Sequence, residues 1–178
     1  VAFVSHDLTV DAGWTDAVER GLADAVATTG PVHAPDEPAS DGPESRTIGG
    51  RQVTYLDGGN AAFSRDVLTE LDGFDESLDV GGARDIAHRL AAIEESVHWE
   101  PSMTATRRGD TAIQRSVLAD GGDGPIWQWR YRSLTYRLVK NYGRRPTVAY
   151  RVARHAVADG AGAARDVLGG EGTPSRWA

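Results

Sequence analysis

The stretch from Tyr55 to Arg89, YLDGGNAAFSRDVLTELDGFDESLDVGGARDIAHR, constrains the chain most, because two glycine pairs punctuate an alternation of strand and helix. A short apolar strand delivers Asp57-Gly58-Gly59-Asn60, a brief helical turn follows, and Phe74-Asp75-Glu76 leads to Gly81-Gly82 and a second helix. Glycine admits positive φ and close backbone approach, so paired glycines beside polar side chains form either a pocket wall or a pair of ordinary turns. Both readings stand at this level.

The second helix is set by its spacing. Ile86, Leu90, Ile93 and Val97 recur on one face, so residues 83–95 read as an amphipathic helix with Asp85 in the first turn, off that face. Upstream, Val1–Val4 is a continuous apolar run that reads as a buried strand ending in Ser5-His6-Asp7. Residues 11–25 read as a helix capped by Asp11, and 26–32 as a polar strand. Residues 33–50 hold three prolines, three glycines and four acids, the composition of a surface loop. Strands follow at 52–56, 61–63, 97–99 and 103–106, with helices at 65–71, 110–119, 126–141 and 146 to about 168. Strands and helices alternate, so the class is α/β.

Charge divides the chain. Residues 125–158 contain eight of the 19 basic side chains and no acid, while the other 144 residues hold 11 basic side chains and all 26 acids. An acidic body at 1–124 and a basic, aromatic helical tail at 125–178 are the expected domains. Lys140 is the only lysine against 18 arginines, a bias that a GC-rich genome or a high-salt cytoplasm would each produce. Absence of cysteine excludes disulfides, thiol nucleophiles and cysteine-held metal. No apolar run approaches the length of a membrane span and no signal peptide is visible, so a cytoplasmic location is expected, with peripheral contact to the cytoplasmic membrane face through the tail.

Taken in order, VAFVSHD, DAGW, GPV, GGNAAFSRDVLTELDGFDE, GGARDIAHRL and VHWEP resemble the second half of family 2 glycosyltransferases with the GT-A fold. The resemblance covers roughly residues 1–108. It implies a partial GT-A fold, the Rossmann-like fold of nucleotide-diphospho-sugar transferases, followed by C-terminal helices. It further implies a nucleotide-binding half before Val1, making the chain a fragment of a longer inverting enzyme that moves a sugar from a nucleotide-sugar to an acceptor hydroxyl in glycan or glycoprotein assembly. By the same resemblance Asp85 is the catalytic base and Asp7 holds the donor diphosphate through Mn²⁺ or Mg²⁺. Arg107 and Arg108 would add positive charge there, and Gly58, Gly59 and Asn60 would line the sugar pocket. Trp99 or Trp127 would stack on a sugar ring of a glycan or lipid-linked acceptor.

Two departures weaken the match. Ser5 stands where the family's first motif carries its first acid, with His6 in the middle place and Asp7 the remaining acid, and Arg84 replaces the glutamate before Asp85. Each key residue also has a plainer reading. Asp85 would favour the positive end of its helix and pair with Arg89 four residues on. Asp7 would accept backbone amides after its strand, and Asn60 would close an Asx turn. A catalytically silent binding module therefore stays open. So does an anionic-surface binder acting through the tail, where Trp127, Tyr131, Leu134 and Leu138 would pack and Trp129, Arg132, Tyr136 and Lys140 would face outward. Nucleic acid is the least expected partner, since no recognisable motif accompanies the charge.

Overall fold

A computed structural model describes residues 1–34, 41–78, 80–108, 126–146, 148–154 and 156–157, with side chains of 126–131 excepted. The chain divides into two compact units, Val1–Val117 and Leu118–Ala178. The expected helix at 110–119 and loop at 120–124 lie outside the described residues.

The first unit is built on a four-stranded sheet. Its strands are β1 (Ala2–Val4), β3 (Ala27–Thr29), β7 (Asn60–Phe63) and β8 (Val97–Trp99), in the order β1-β7-β3-β8. β7 runs antiparallel to both neighbours and β3 runs parallel to β8, so β1, β3 and β8 all point the same way. β7 is buried throughout, and its pleat divides the core. Ala61 and Phe63 join Leu56, Val67, Ile86 and Leu90 on one side, where α2 (Arg65–Glu70) and α3 (Gly82–Ala92) lie. Ala62 meets Trp14, Ala17 and Met103 on the other, under α1 (Trp14–Gly21). Phe3, Phe63 and Phe74 pack edge to face, with centroids 5.0–5.9 Å apart.

A second sheet joins β2 (Leu8–Val10), β9 (Ala105–Arg107) and β4 (Val32–His33) in the order β2-β9-β4. β5 (Ser45–Ile48) and β6 (Arg51–Thr54) form a hairpin. Gly49 and Gly50 have φ of 60° and 86°, the left-handed pair that a two-residue hairpin turn requires.

Several expectations need correction. The run read as a buried strand from Val1 to Val4 supplies an edge strand, β1, with Val4 43% exposed and Val1 just before it 54% exposed, because only β7 pairs with it among the described strands. An apolar run alone does not say how many neighbours a strand has. α1 starts at Trp14 with Gly13 as its cap, three residues after Asp11. Residues 45–48, read as loop, are the first arm of the hairpin, and β2 occupies residues between the first expected strand and helix that carried no assignment.

In the second unit, α4 (Ile126–Tyr142) ends at Gly143, whose amide donates to the Val139 carbonyl at 2.8 Å. Pro146 opens the next helical residues, as its fixed φ favours. Leu138 is buried and Leu134 half-buried, while Arg132, Tyr136 and Lys140 are exposed. Trp127, Trp129 and Tyr131 have side chains outside the described set. No helix among the described residues is long and apolar enough to cross a membrane.

Candidate functional site

The parallel strands of the main sheet finish at one edge. β1 leads into Ser5-His6-Asp7, β3 into Gly30 and β8 into Glu100, while β7 begins there after Asp57-Gly58-Gly59. Val4 pairs with Asn60, and Thr29 lies between Ala61 and Trp99. In open α/β sheets this edge, outside the carboxyl ends of the strands, is where ligands bind. A cavity of about 270 Å³ opens here, lined by Thr29, Tyr55, Asp57, Arg84, Trp99 and Arg107 among others. It lies near the lower end of the usual range for small-molecule sites, about 300–1,000 Å³, and suits one ring-sized unit.

Thr29 fixes the acid of the cavity. Its buried hydroxyl donates to the Asn60 carbonyl at 2.7 Å and accepts the Asp57 amide at 3.1 Å, tying both ends of the Asp57–Asn60 turn to β3. Asp57 Oδ1 then accepts the Gly59 amide at 2.8 Å, which orients the carboxylate. The expected close approach at Gly58 and Gly59 is present, but to protein atoms. A Cβ on Gly58 would lie 2.8 Å from Ala83 Cβ, and one on Gly59 2.9 Å from Ser5 Cβ. The glycines let the turn pack against α3 and the end of β1, and that packing presents Asp57.

Two guanidiniums complete the lining. Arg84 sits 4.4 Å above the Tyr55 ring centroid and its Nη2 donates to Glu44 Oε2 at 2.8 Å. Burial acts to raise the Glu44 carboxyl, but hydrogen bonds from Arg84 and Arg46 outweigh it and hold the group below the usual glutamate value. Arg107 Nε lies 3.2 Å from Asp7 Oδ2, an ion pair by distance without the alignment of a hydrogen bond. Among the lining residues, Arg84 and Arg107 balance Glu44 and Asp57. A balanced set of donors and acceptors beside an indole suits a neutral polyhydroxyl ring better than a bare polyanion.

The other residues singled out from the sequence have internal roles. Asp85 is fully buried, and its Oδ2 accepts Arg89 Nε at 2.8 Å. Arg89 also donates to the Leu71 carbonyl at 2.5 Å and the Gly73 carbonyl at 2.7 Å, so the pair latches the turn after α2 to α3. From that helix Arg84, not Asp85, lines the cavity. Asn60 is also fully buried: Oδ1 accepts Trp14 Nε1 at 2.8 Å, and Nδ2 donates to the Met103 carbonyl at 2.7 Å and the Pro31 carbonyl at 3.3 Å. Arg108 Nη2 reaches the Leu8 carbonyl at 3.2 Å and its amide donates to the Asp7 carbonyl at 2.7 Å, which pins β2. Asp57, Tyr55, Arg84 and Glu44 were not assigned site roles from the sequence. The signal available for Asp57 was its place directly before the glycine pair at a strand end.

Asp7 was the expected metal ligand. Its Oδ1 accepts the Ser5 hydroxyl and its Oδ2 faces Arg107, so both oxygens already have partners. No cluster of three His, Asp or Glu side chains occurs among the described residues. A Mg²⁺ or Mn²⁺ ion held mainly by a substrate diphosphate needs only one or two protein carboxylates, and Asp7 would have to exchange its Ser5 and Arg107 contacts for such an ion. Compared with known proteins, the chain matches no family model, no curated relative and no solved structure.

Proposed function

We propose that the cavity binds a sugar ring and that the chain serves transfer of a sugar from a nucleotide-sugar to an acceptor hydroxyl, in keeping with the GT-A resemblance of its motifs. The observation that carries this reading is the convergence of Asp57, Trp99 and the Arg84–Glu44 and Arg107–Asp7 pairs at the carboxyl ends of parallel strands. Carboxylates accept from sugar hydroxyls, guanidiniums donate to them, and an indole offers its apolar face to the ring.

In the transfer step Asp57 accepts the proton of the acceptor hydroxyl. The acceptor oxygen bonds to the anomeric carbon as the bond from that carbon to the diphosphate oxygen breaks, and the electron pair leaves with the diphosphate. General-base help of this kind is worth about 10² to 10⁴ in rate. Arg107 supplies positive charge near the leaving group. EDTA treatment separates the two sources of counter-charge: retained transfer leaves that role to Arg107, and lost transfer returns Asp7 to the role of metal ligand.

A second reading, binding without turnover, is favoured by the burial of Asp85, the acid that the resemblance assigns as base. Saturation-transfer NMR of the 178-residue chain with nucleotide-sugars and free monosaccharides tests the shared claim of a sugar site. Saturation should reach the sugar ring protons and weaken clearly in Trp99→Ala. Absence of transfer from every sugar would overturn the site, whereas binding with no product formed on a panel of acceptors would leave the non-catalytic reading.

A further inference from the structure

The second unit carries a surface that the sugar site does not use. Between α4 and the helical residues 148–154 lies a cavity of about 600 Å³ whose walls are Val139, Pro146, Val148, Ala149, Val152 and Ala153. Arg144 and Arg145 also border it, and both are exposed. Along α4, Arg132, Tyr136 and Lys140 recur every four residues and are exposed. Beyond it Tyr150 and Val157 are each 71% exposed, and Arg154 is exposed too. Residues 125–158 contain no acid to offset these cations.

Exposed aromatic and aliphatic side chains set among cations are the composition favoured at a lipid headgroup boundary. A nucleic-acid face would also want cations, but it gains nothing from an aliphatic groove. We propose that this unit docks on an anionic phospholipid bilayer, with Arg144 and Arg145 against lipid phosphates and an acyl segment in the groove between α4 and residues 148–154. The docking is independent of the sugar site in the first unit. Its two components are separable, because charge draws the unit to the bilayer and the groove takes apolar chain. Each basic side chain near an anionic leaflet is worth about 1 kcal/mol, or about fivefold in partition.

The full chain is sedimented with vesicles of phosphatidylcholine alone or containing about 30% phosphatidylserine, at about 0.1 M salt, where screening extends ~10 Å. It should pellet with the anionic vesicles only. Arg144→Gln combined with Arg145→Gln should lower the partition coefficient about 30-fold while circular dichroism stays unchanged. Because the chain has no cysteine, Ala153→Cys gives a unique place for an environment-sensitive fluorophore. Its emission should shift to the blue on anionic vesicles and be quenched by acyl-chain spin labels, whereas the same label at Ser45 should not respond. Equal sedimentation with both vesicle types, an unaffected double variant, a silent label at position 153, or displacement from vesicles by equimolar single-stranded RNA would each overturn the proposal.

Discussion

Two polar clusters lie a few residues apart in sequence and differ in what completes them. Asp85 with Arg89, and Asn60 with Trp14, are enclosed and bonded to the protein's own carbonyls and side chains. Asp57, Arg84 and Arg107 line a cavity. The first set specifies the fold, since each member leaves a buried partner stranded when it is removed. The two sets share elements without sharing side chains: the Asn60 main-chain carbonyl anchors one end of the turn that carries Asp57, and α3 carries Arg84 as well as the Asp85–Arg89 latch. Conspicuous polar residues beside glycine pairs are therefore of two kinds, and spacing does not separate them.

The sharpest way to break this contrast is at the latch. Arg89→Met should cost about 3–5 kcal/mol in denaturant unfolding, because it strands a fully buried carboxylate and two carbonyls. A loss under about 1 kcal/mol would mean that the cluster is not closed, since that is the scale of an exposed ion pair. Asn60→Leu comes next, at about 2–3 kcal/mol, since Trp14 Nε1 and the Met103 carbonyl lose their partner in the core. Neither substitution removes a group that lines the cavity. Both should lower sugar affinity only as far as the folded fraction falls.

At the cavity the order reverses. Trp99→Ala should reduce sugar affinity about tenfold, or about 1.4 kcal/mol, with a smaller change in unfolding free energy than either core variant. Titration calorimetry beside chemical denaturation checks both halves. The smallest effect belongs to Glu44. Its folded pKa is depressed, so its stabilising contribution is present above the ordinary glutamate value, about 4.3, and is lost as pH falls through the folded value. With the side chain 38% exposed, screening keeps the contribution small. Thermal melts from about pH 6 to pH 3 should show a slightly shallower decline for Glu44→Gln than for wild type. An identical slope would remove the Arg84–Glu44 pair from the account of the rim.

Much of the framework was legible. Ile86 and Leu90 lie on the buried face of α3 as their spacing predicts, although the helix ends at Ala92 and Val97 belongs to the strand read at 97–99; the helix read at 126–141 matches α4 to within a residue. What could not be read was which side of a helix a later or earlier segment would cover. Asp85 lies off the apolar face of α3, and its burial depends on the turn at Leu71–Gly73 that Arg89 holds down. On the other flank, β6 and Tyr55 cover His88, with ring centroids 5.6 Å apart, and Glu44 meets Arg84. The hairpin itself was hidden by the proline- and acid-rich residues before it, although Gly49-Gly50 between short alternating arms is a strong hairpin signal. Asn60 and Asp57 flank one glycine pair, and the pleat of β7 decides between them: Asn60 points with Ala62 toward Trp14, while Asp57 precedes the strand. The charge division, by contrast, was legible outright, because composition needs no fold.

The most direct test compares Asp57→Asn with Asp85→Asn in the same two assays, unfolding free energy and nucleotide-sugar binding. Asp57→Asn should leave stability within about 0.5 kcal/mol of wild type, the usual span for surface changes, and should weaken or abolish binding of the sugar ring. Asp85→Asn should do the opposite, costing about 2–4 kcal/mol because a buried pair loses its charge, while the protein that remains folded binds sugar as wild type does. A stable Asp85→Asn protein that no longer binds sugar, beside an Asp57→Asn protein that still does, would contradict the division between the closed and open clusters and return the site to α3.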